Sequence, residues 1–312
     1  MNIPVRWAYP AVFIGVCGHA SSEFFAKLTG VAGPEVSVWR YVIGAIGLLL
    51  WSLSRSDSRD LLTPLREEWP GLIPLSLLGV SAAYLFFHWA LDFASVIQVA
   101  TLVTTIPIFV GLANLAVNHT PISTVKIVTG ALAVIGIAIL LTDGYLDVLS
   151  QGSSLQGVLM AILCAALAAS YSVLAKPMMQ RHGGMRITTL AVTIGAAGLW
   201  LLVGALWGIW VNPLTLFSMP EVAFWSLIVL GIWNTTITQL LWFGGLASAP
   251  DMTRASYLFF LKPVIAAILA IAILGDKPTW LQVSAIAVVS GSVLFEIYWQ
   301  RMMPGKQRTD HV

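Results

Sequence analysis

Ten long apolar stretches divide this chain of 312 residues, and they constrain its fold more than any other feature. Each is long enough for an α-helix to cross a hydrocarbon core roughly 30 Å thick. Because backbone polar groups in lipid must be satisfied within one segment, such stretches form helices. The sequence therefore predicts an all-α polytopic membrane protein with ten transmembrane helices. The stretches cover residues 7–28, 35–53, 70–91, 95–117, 124–141, 155–177, 186–209, 221–243, 252–274 and 279–299.

The composition agrees with lipid as the main solvent. Apolar residues make up 58% of the chain and charged residues only 10%, where an ordinary soluble domain has roughly a quarter charged residues. The net charge of +2 comes from scattered basic residues, so we expect no nucleic acid partner. Cys17 and Cys164 lie in apolar stretches without the spacing of a metal site, and we expect no metal and no cofactor.

The basic residues predict the orientation, because cytoplasmic flanks accumulate Lys and Arg. Twelve basic residues lie near the two termini and in every second connection, all on one predicted side of the membrane. The opposite side holds only Lys27, Arg40 and Lys277. Both termini are therefore predicted to be cytoplasmic, in a multi-pass protein of the bacterial inner membrane. The twelve are Arg6, Arg55, Arg59, Arg66, Lys126, Lys176, Arg181, Arg186, Arg254, Arg301, Lys306 and Arg308.

The two halves of the chain resemble each other in the same order along the sequence. Short matches of this kind in register indicate an internal duplication. We predict a first repeat at 1–148, a second repeat at 149–300 and a cytoplasmic tail at 301–312. Five helices per repeat force the second copy into the opposite orientation, as in secondary transporters with a site near the midplane. The matches are Phe25-Ala26-Lys27 with Leu174-Ala175-Lys176, residues 43–48 with 194–199, residues 89–95 with 242–248, Pro107 with Pro263, and Pro121 with Pro278.

This layout, with prolines in the fourth and ninth stretches, resembles the drug/metabolite transporter superfamily in its form with two EamA-type halves. Among those it looks most like the YddG-type exporters of aromatic amino acids. The resemblance covers about residues 8–300. It implies alternating access and a central cavity lined by helices 1 to 4 and 6 to 9, with helices 5 and 10 peripheral. The sequence departs from the family at one position. An acidic residue often follows the fourth helix in that family, whereas this chain has His119 there; Asp276 occupies the matching position after the ninth stretch.

Lys262 is the deepest charged residue, well inside the ninth stretch. An ionised side chain at the bilayer centre costs about 2.5–3.5 kcal/mol, so it should face a cavity or a partner. We predict that Lys262 binds a substrate carboxylate or phosphate. A structural ion pair, or a hydrogen bond to helix carbonyls, is the alternative.

A polar stripe in the first stretch contains His19, Ser22 and Glu23. It is predicted to line the cavity, where it could bind a substrate ammonium or carry protons. Alternatively, Glu23 with Lys27 or Arg40 only locks helices together at the outer rim.

Other polar and aromatic residues are predicted to complete the cavity. For the threonines, bonds within their own helix or between helices are the open alternative. Prolines 107 and 263 are predicted hinges, because proline removes a backbone donor and bends a helix. The predicted lining residues are Tyr84 and His88 in the third stretch, Thr101 and Thr105 in the fourth, Tyr171 in the sixth, Asn234, Thr238 and Gln239 in the eighth, and Tyr257 in the ninth.

These features predict a secondary transporter that exports small amphipathic metabolites, and the resemblance implies neutral and aromatic amino acids. We expect a monomer whose partners are the solute and the bilayer. Sugar phosphates, nucleotide-sugars or drugs are alternative substrates, although a single deep lysine argues against several phosphate charges. A channel or a membrane enzyme is more distant, because the chain lacks H-E-x-x-H, G-x-S-x-G and G-x-x-x-x-G-K-[ST] motifs.

Overall fold

The structure is a computed structural model that describes residues 3–94, 96–142, 155–269 and 279–302. Every regular element in these ranges is helical, and a helical segment occurs at each of the ten predicted positions. We number these segments α1 to α10 in chain order. They are α1 (Ala8–Ala20 and Ser22–Leu28), α2 (Gly33–Leu53), α3 (Leu62–Phe93), α4 (Val96–Val103 and Ile106–Asn118), α5 (Thr124–Thr142), α6 (Leu155–His182), α7 (Gly184–Trp207), α8 (Glu221–Ser248), α9 (Met252–Ser256, Tyr257–Leu261 and Lys262–Leu269) and α10 (Trp280–Met302).

Five of these helices are uninterrupted, long and apolar enough to cross a membrane: α2, α3, α6, α7 and α8. Shorter apolar helices cover Ile106–Asn118, Thr124–Ile139 and Trp280–Glu296. Large hydrophobic side chains remain exposed along them, as expected where the surroundings are lipid rather than water. The prediction of an all-α membrane protein is confirmed.

The helix bounds differ from the apolar stretches where polar residues extend a helix. Helix α3 begins at Leu62, because the amphipathic segment 62–69 continues the helix beyond its apolar part. Helix α2 begins at Gly33, with Pro34 in its first turn, where proline costs no hydrogen bond. Arg40 is therefore two turns inside α2 and only 1% exposed. Its placement at the outer rim was wrong, since the guanidinium finds polar partners inside the bundle.

The helix pairs follow the internal repeat. When each helix is replaced by its counterpart in the other half, a packed pair becomes another packed pair. Helix α2 packs against α7, and α5 packs against α10. Helix α1 packs against α8 as α6 packs against α3, and α4 contacts α6 as α9 contacts α1. The bundle therefore has the contact pattern that a duplication would produce.

Helices α3 and α8 each contain a π-helical turn, at Leu77–Ala82 and Ile232–Ile237. In each turn a hydroxyl donates a hydrogen bond to a glycine carbonyl of a helix in the other half. Ser81 donates to Gly195 over 2.8 Å, and Thr236 donates to Gly44 over 3.1 Å. The glycines permit this approach, because a Cβ atom on Gly44 would lie 2.5 Å from Thr235 Cγ2.

Helices α4 and α9 are interrupted near the predicted hinge prolines. Helix α4 breaks at Thr104 and Thr105, immediately before the turn that contains Pro107. Helix α9 tightens into a 3₁₀ segment at Tyr257–Leu261, just before Pro263. The two interruptions occupy equivalent positions in the halves.

Two ion pairs join α5, α9, α10 and the link between α8 and α9 at the predicted cytoplasmic end. Lys126 Nζ of α5 lies 2.7 Å from Asp251 Oδ2 in the link between α8 and α9. Arg254 Nε of α9 lies 3.3 Å from Glu296 Oε1 of α10, and Glu296 is fully buried. The Tyr257 hydroxyl donates to the Lys126 carbonyl. We call these five residues the cytoplasmic clamp.

Candidate functional site

A small cavity lies between the helices of the bundle, and seven helices contribute to its wall. Its volume of about 30 Å³ holds roughly two water molecules, so the wall must move apart to admit a metabolite. Helices α5, α7 and α10 provide no lining residue among those described. The lining residues are His19, Ser22, Arg40, Tyr84, Phe87, Val103, Ile106, Cys164, Ala168, Ser172, Trp242, Phe243, Phe259 and Lys262.

Two cations, Lys262 and Arg40, stand in this wall, and none of its described residues is acidic. Lys262 is 4% exposed, and its Nζ lies 5.6 Å from the ring centroid of Phe87 and 5.7 Å from that of Phe259. The Arg40 guanidinium lies 5.6 Å from the ring centroid of Tyr84. Aromatic faces stabilise cations, most strongly away from water. The wall therefore combines positive charge with aromatic surface.

His19 and Ser22, two of the predicted lining residues, reach the cavity from α1. The His19 ring packs edge-on against Trp242 and Phe259, at centroid distances of 5.8 and 5.4 Å. Its Nε2 atom is buried and has no hydrogen-bond partner among the described residues. Ser22 donates its hydroxyl to the His19 carbonyl over 2.9 Å. His19 thus offers the cavity an unused ring nitrogen.

Equivalent positions of the two halves line the same cavity. Residues immediately before the hinge prolines line it in both halves, and so do residues four positions before them. The same holds for residues seven positions before the repeated alanines, Ala26 and Ala175. The three pairs are Ile106 with Lys262, Val103 with Phe259, and His19 with Ala168.

Several predicted lining residues lie elsewhere in the bundle. His88 is 1% exposed and stands behind Arg40, facing a second pocket that it shares with Asp92. The Tyr171 ring of α6 packs edge-on to Phe243 of α8, next to Gly79 of α3. Thr105 donates its hydroxyl to the Leu102 carbonyl in the break of α4. Tyr257 belongs to the cytoplasmic clamp, and the side chains of Glu23 and Thr101 lie outside the described residues.

The polar stretch 234–239 of α8 joins helices and contributes nothing to the cavity wall. The Asn234 amide donates to the Gly18 carbonyl over 2.5 Å and to Ser21 Oγ over 2.9 Å. Thr238 donates to the carbonyl five residues before it, as hydroxyls do in a π-helical turn of this kind. The Gln239 amide donates to the hydroxyls of Tyr41, over 3.1 Å, and Tyr84, over 2.8 Å. This stretch therefore connects α8 to α1, α2 and α3.

Arg40 is the cavity residue that the sequence interpretation missed. Hydropathy placed it at the edge of an apolar stretch, where a basic residue resembles a flank. Two signals were present in the sequence: the Gly33-Pro34-Glu35 helix start, and the spacing of Arg40, Gly44 and Gly47 along one helix face. The aromatic residues of the wall, Phe87, Trp242, Phe243 and Phe259, carry no such signal, because aromatic residues are common throughout membrane helices.

Comparison with known proteins agrees with this architecture. The model of the EamA-like transporter family matches twice, at residues 6–142 and 155–298. An uncharacterized transporter of Archaeoglobus fulgidus is 27% identical over 261 residues, covering 83% of this chain and 86% of that one. The uncharacterized transporter YyaM of Bacillus subtilis is 22% identical, covering 85% and 86%.

One solved crystal structure shares the fold at a TM-score of 0.77 and 18% identity, and the match covers 96% of this chain and 99% of that one. Members of the EamA-like family have ten transmembrane helices. Together with the transporter relatives, the family match makes the protein a membrane transporter rather than an enzyme. The chain belongs to the EamA-like transporter family, within the drug/metabolite transporter superfamily.

Proposed function

We propose that this transporter exports small amphipathic metabolites that carry a carboxylate, with neutral and aromatic amino acids as the main class. The observation that carries the proposal is the central cavity, where Lys262 and Arg40 stand among aromatic rings. Cations bind a carboxylate, and aromatic faces bind an apolar or aromatic body. The resemblance to YddG-type exporters that the sequence predicts would imply the same class.

In this mechanism the halves form inverted repeats that rock around the cavity, with both termini in the cytoplasm of a bacterial cell. The cavity is too small for an amino acid in this conformation, so transport requires its wall to open. The interruptions beside Pro107 and Pro263 provide the points at which α4 and α9 can bend. The cytoplasmic clamp then has to separate when the inner side opens.

Phosphorylated sugars are the second candidate, and Arg40 favours them. Lys262 is not the only deep cation, because the cavity wall also holds Arg40. Two cations can balance a dianion. The aromatic wall nevertheless matches the first class better, since a sugar ring has a less apolar surface.

Counterflow in proteoliposomes tests this function. Vesicles loaded with unlabelled solute should accumulate labelled L-phenylalanine when the loaded solute is an amino acid, because a carrier exchanges solutes one at a time. Loading with glucose 6-phosphate should give no accumulation. The amino acid assignment fails if no loaded amino acid drives accumulation of labelled L-phenylalanine, and the carrier assignment fails if the protein conducts an ohmic current without counterflow.

A further inference from the structure

Arg40 is held in the cavity wall by neutral groups. Its Nε donates to Thr235 Oγ1 over 3.0 Å, and its Nη2 donates to the Asn234 carbonyl over 2.9 Å. The His88 Nε2 atom lies 3.4 Å from Nη1. A guanidinium has five N–H groups, so this network leaves one N–H on each terminal nitrogen for another acceptor.

No carboxylate contacts Arg40 among the side chains that the structure describes. The residue is only 1% exposed, so its charge is removed from water as well. A buried charge is costly unless an opposite charge compensates it. The cavity beside Arg40 is where such a counter-ion can bind, because Arg40 is one of its lining residues.

His88 fixes the orientation of the guanidinium. Its Nδ1 atom lies 3.0 Å from the Tyr84 carbonyl, which can only accept, so Nδ1 carries the ring proton. Ser37, which donates its own hydroxyl to the Gly33 carbonyl, lies 2.8 Å from the same nitrogen. The unprotonated Nε2 of His88 therefore faces Arg40 and accepts from Nη1. A neutral histidine in this tautomer orients the fork without cancelling its charge.

We propose that Arg40 binds the carboxylate of the transported solute, and that His88 and Thr235 are positioning residues that hold the guanidinium fork toward it. This inference rests on the proposed function and specifies one of its binding residues. The planar fork suits a carboxylate, which can accept two parallel N–H bonds. Lys262 contributes a second positive charge from α9.

Binding to the purified full-length protein tests the inference. The probes are labelled L-phenylalanine, with unlabelled phenylacetate and L-phenylalaninamide as competitors; the amide has no carboxylate. Charge-assisted hydrogen bonds contribute enough that the amide should bind the wild-type protein about 10- to 100-fold more weakly than phenylalanine. Arg40→Gln should weaken phenylalanine and phenylacetate by a similar factor and leave the amide within about threefold.

The positioning role has its own measurement, the ratio of the amide and phenylalanine Kd values. His88→Leu should reduce this ratio about tenfold, and His88→Gln should restore most of it, because the glutamine side-chain oxygen can accept from Nη1. The exposed Arg59 is the matched control, and Arg59→Gln should leave the ratio unchanged. If Arg40→Gln does not fold, Thr235→Val removes the Nε acceptor and keeps the charge, and should lower the same ratio.

The possible failures are distinguishable. Equal binding of phenylalanine and its amide to the wild-type protein, together with phenylalanine counterflow, would overturn the role of Arg40 and leave the proposed function intact. An unchanged ratio of the amide and phenylalanine Kd values in folded Arg40→Gln would also overturn the role of Arg40. If the wild-type protein neither binds nor exchanges phenylalanine, the amino acid class and the carboxylate site fall together.

Discussion

At the scale of single residues, neither of the two cavity cations is repeated at the equivalent position of the other half. Lys262 stands directly before its hinge proline, where the first half has Ile106. Arg40 precedes the repeated glycine Gly44 by four residues, and the second half has Ala191 at that place. Each charge is therefore present in one half only. The cavity lies between related halves, but its binding chemistry is asymmetric, and each cation can be tested separately.

Lys262→Ala should abolish or strongly reduce counterflow, because the variant removes a positive charge from the cavity wall. Lys262→Arg keeps the charge in a bulkier group and should retain part of the activity. Counterflow of labelled L-phenylalanine measures both variants, with thermal unfolding in detergent as the check on folding. Arg59→Ala, at an exposed position, serves as the control. Full transport by a folded Lys262→Ala protein would remove this residue from the site.

The sequence identifies some of these residues and not others, for a physical reason. Lys262 is recognisable because a charge in the middle of an apolar stretch is costly anywhere except beside a cavity or a partner. His19 is recognisable for the same reason. Whether Asn234 faces a cavity or a neighbouring helix depends on helix rotation, and the π-helical turn in α8 changes that rotation. A π-helical turn adds one residue to a helical turn, and a uniformly apolar sequence does not show where this addition occurs.

At the scale of helices, the close approach of α2 and α8 places Arg40. Gly44 lies one turn after Arg40 on the same face, against Thr235 and Gly231. Gly44→Ala should destabilise the protein by about 1–3 kcal/mol, because the added methyl group has no room. Gly291→Ala is the matched control, since a Cβ atom there meets nothing within 4 Å. Thermal unfolding in detergent measures both, and equal melting temperatures would contradict tight packing at Gly44.

The buried and exposed ion pairs should differ strongly in their effect on stability. Arg254→Gln leaves the fully buried Glu296 without its partner and should cost about 3–5 kcal/mol. Arg181→Gln breaks a pair with Glu68 in which the arginine is 57% exposed, and should cost about 1 kcal/mol or less. Denaturation of the two variants under the same conditions makes the comparison. A similar loss in both would show that the cytoplasmic clamp does not depend on its buried pair.

The pH dependence of the clamp follows from Asp251, which lies between α8 and α9. Burial acts to raise the pKa of its carboxyl, but Lys126 and the Arg254 backbone N–H outweigh this and hold the pKa below the ordinary 3.8. A carboxyl with a lowered folded-state pKa stabilises the folded protein above its unfolded pKa, and this is lost as the pH falls through the folded pKa.

The melting temperatures of the wild-type protein and Asp251→Asn should therefore differ by the same amount at pH 7 and pH 5. The difference should shrink only below about pH 4. Thermal unfolding in detergent across this range measures it. A difference that already disappears between pH 7 and pH 5 would contradict the pairing of Asp251 with Lys126.

At the scale of the whole molecule, the internal repeat explains both the packing and the cavity. The contacts of α2 with α7 and of α5 with α10 relate each helix to its own counterpart. The hydrogen bonds from Ser81 to Gly195 and from Thr236 to Gly44 repeat one interaction in both halves. The sequence predicted the repeat, because its prolines and glycines recur in order. It could not predict the small volume of the cavity, because this depends on how closely the lining side chains of seven helices pack.

The proposed inversion of the two halves leads to a prediction about the connections that follow α2 and α7. These helices occupy equivalent places, so in inverted repeats the connection 54–61 and the connection 208–220 must lie on opposite faces of the membrane. The basic residues Arg55 and Arg59 predict that the first of them lies in the cytoplasm. Asp60 and Thr215 are exposed positions in the two connections.

Asp60→Cys and Thr215→Cys, each in a background with Cys17→Ala and Cys164→Ala, test this arrangement. In intact cells a membrane-impermeant maleimide should label the cysteine at position 215 and reach the one at position 60 only after permeabilisation. A cysteine-free protein controls for unspecific labelling. Labelling of both positions from the same side would mean that the halves are parallel. The two sets of equivalent residues could then not face each other across a midplane cavity, and alternating access by rocking of inverted repeats would have no structural basis.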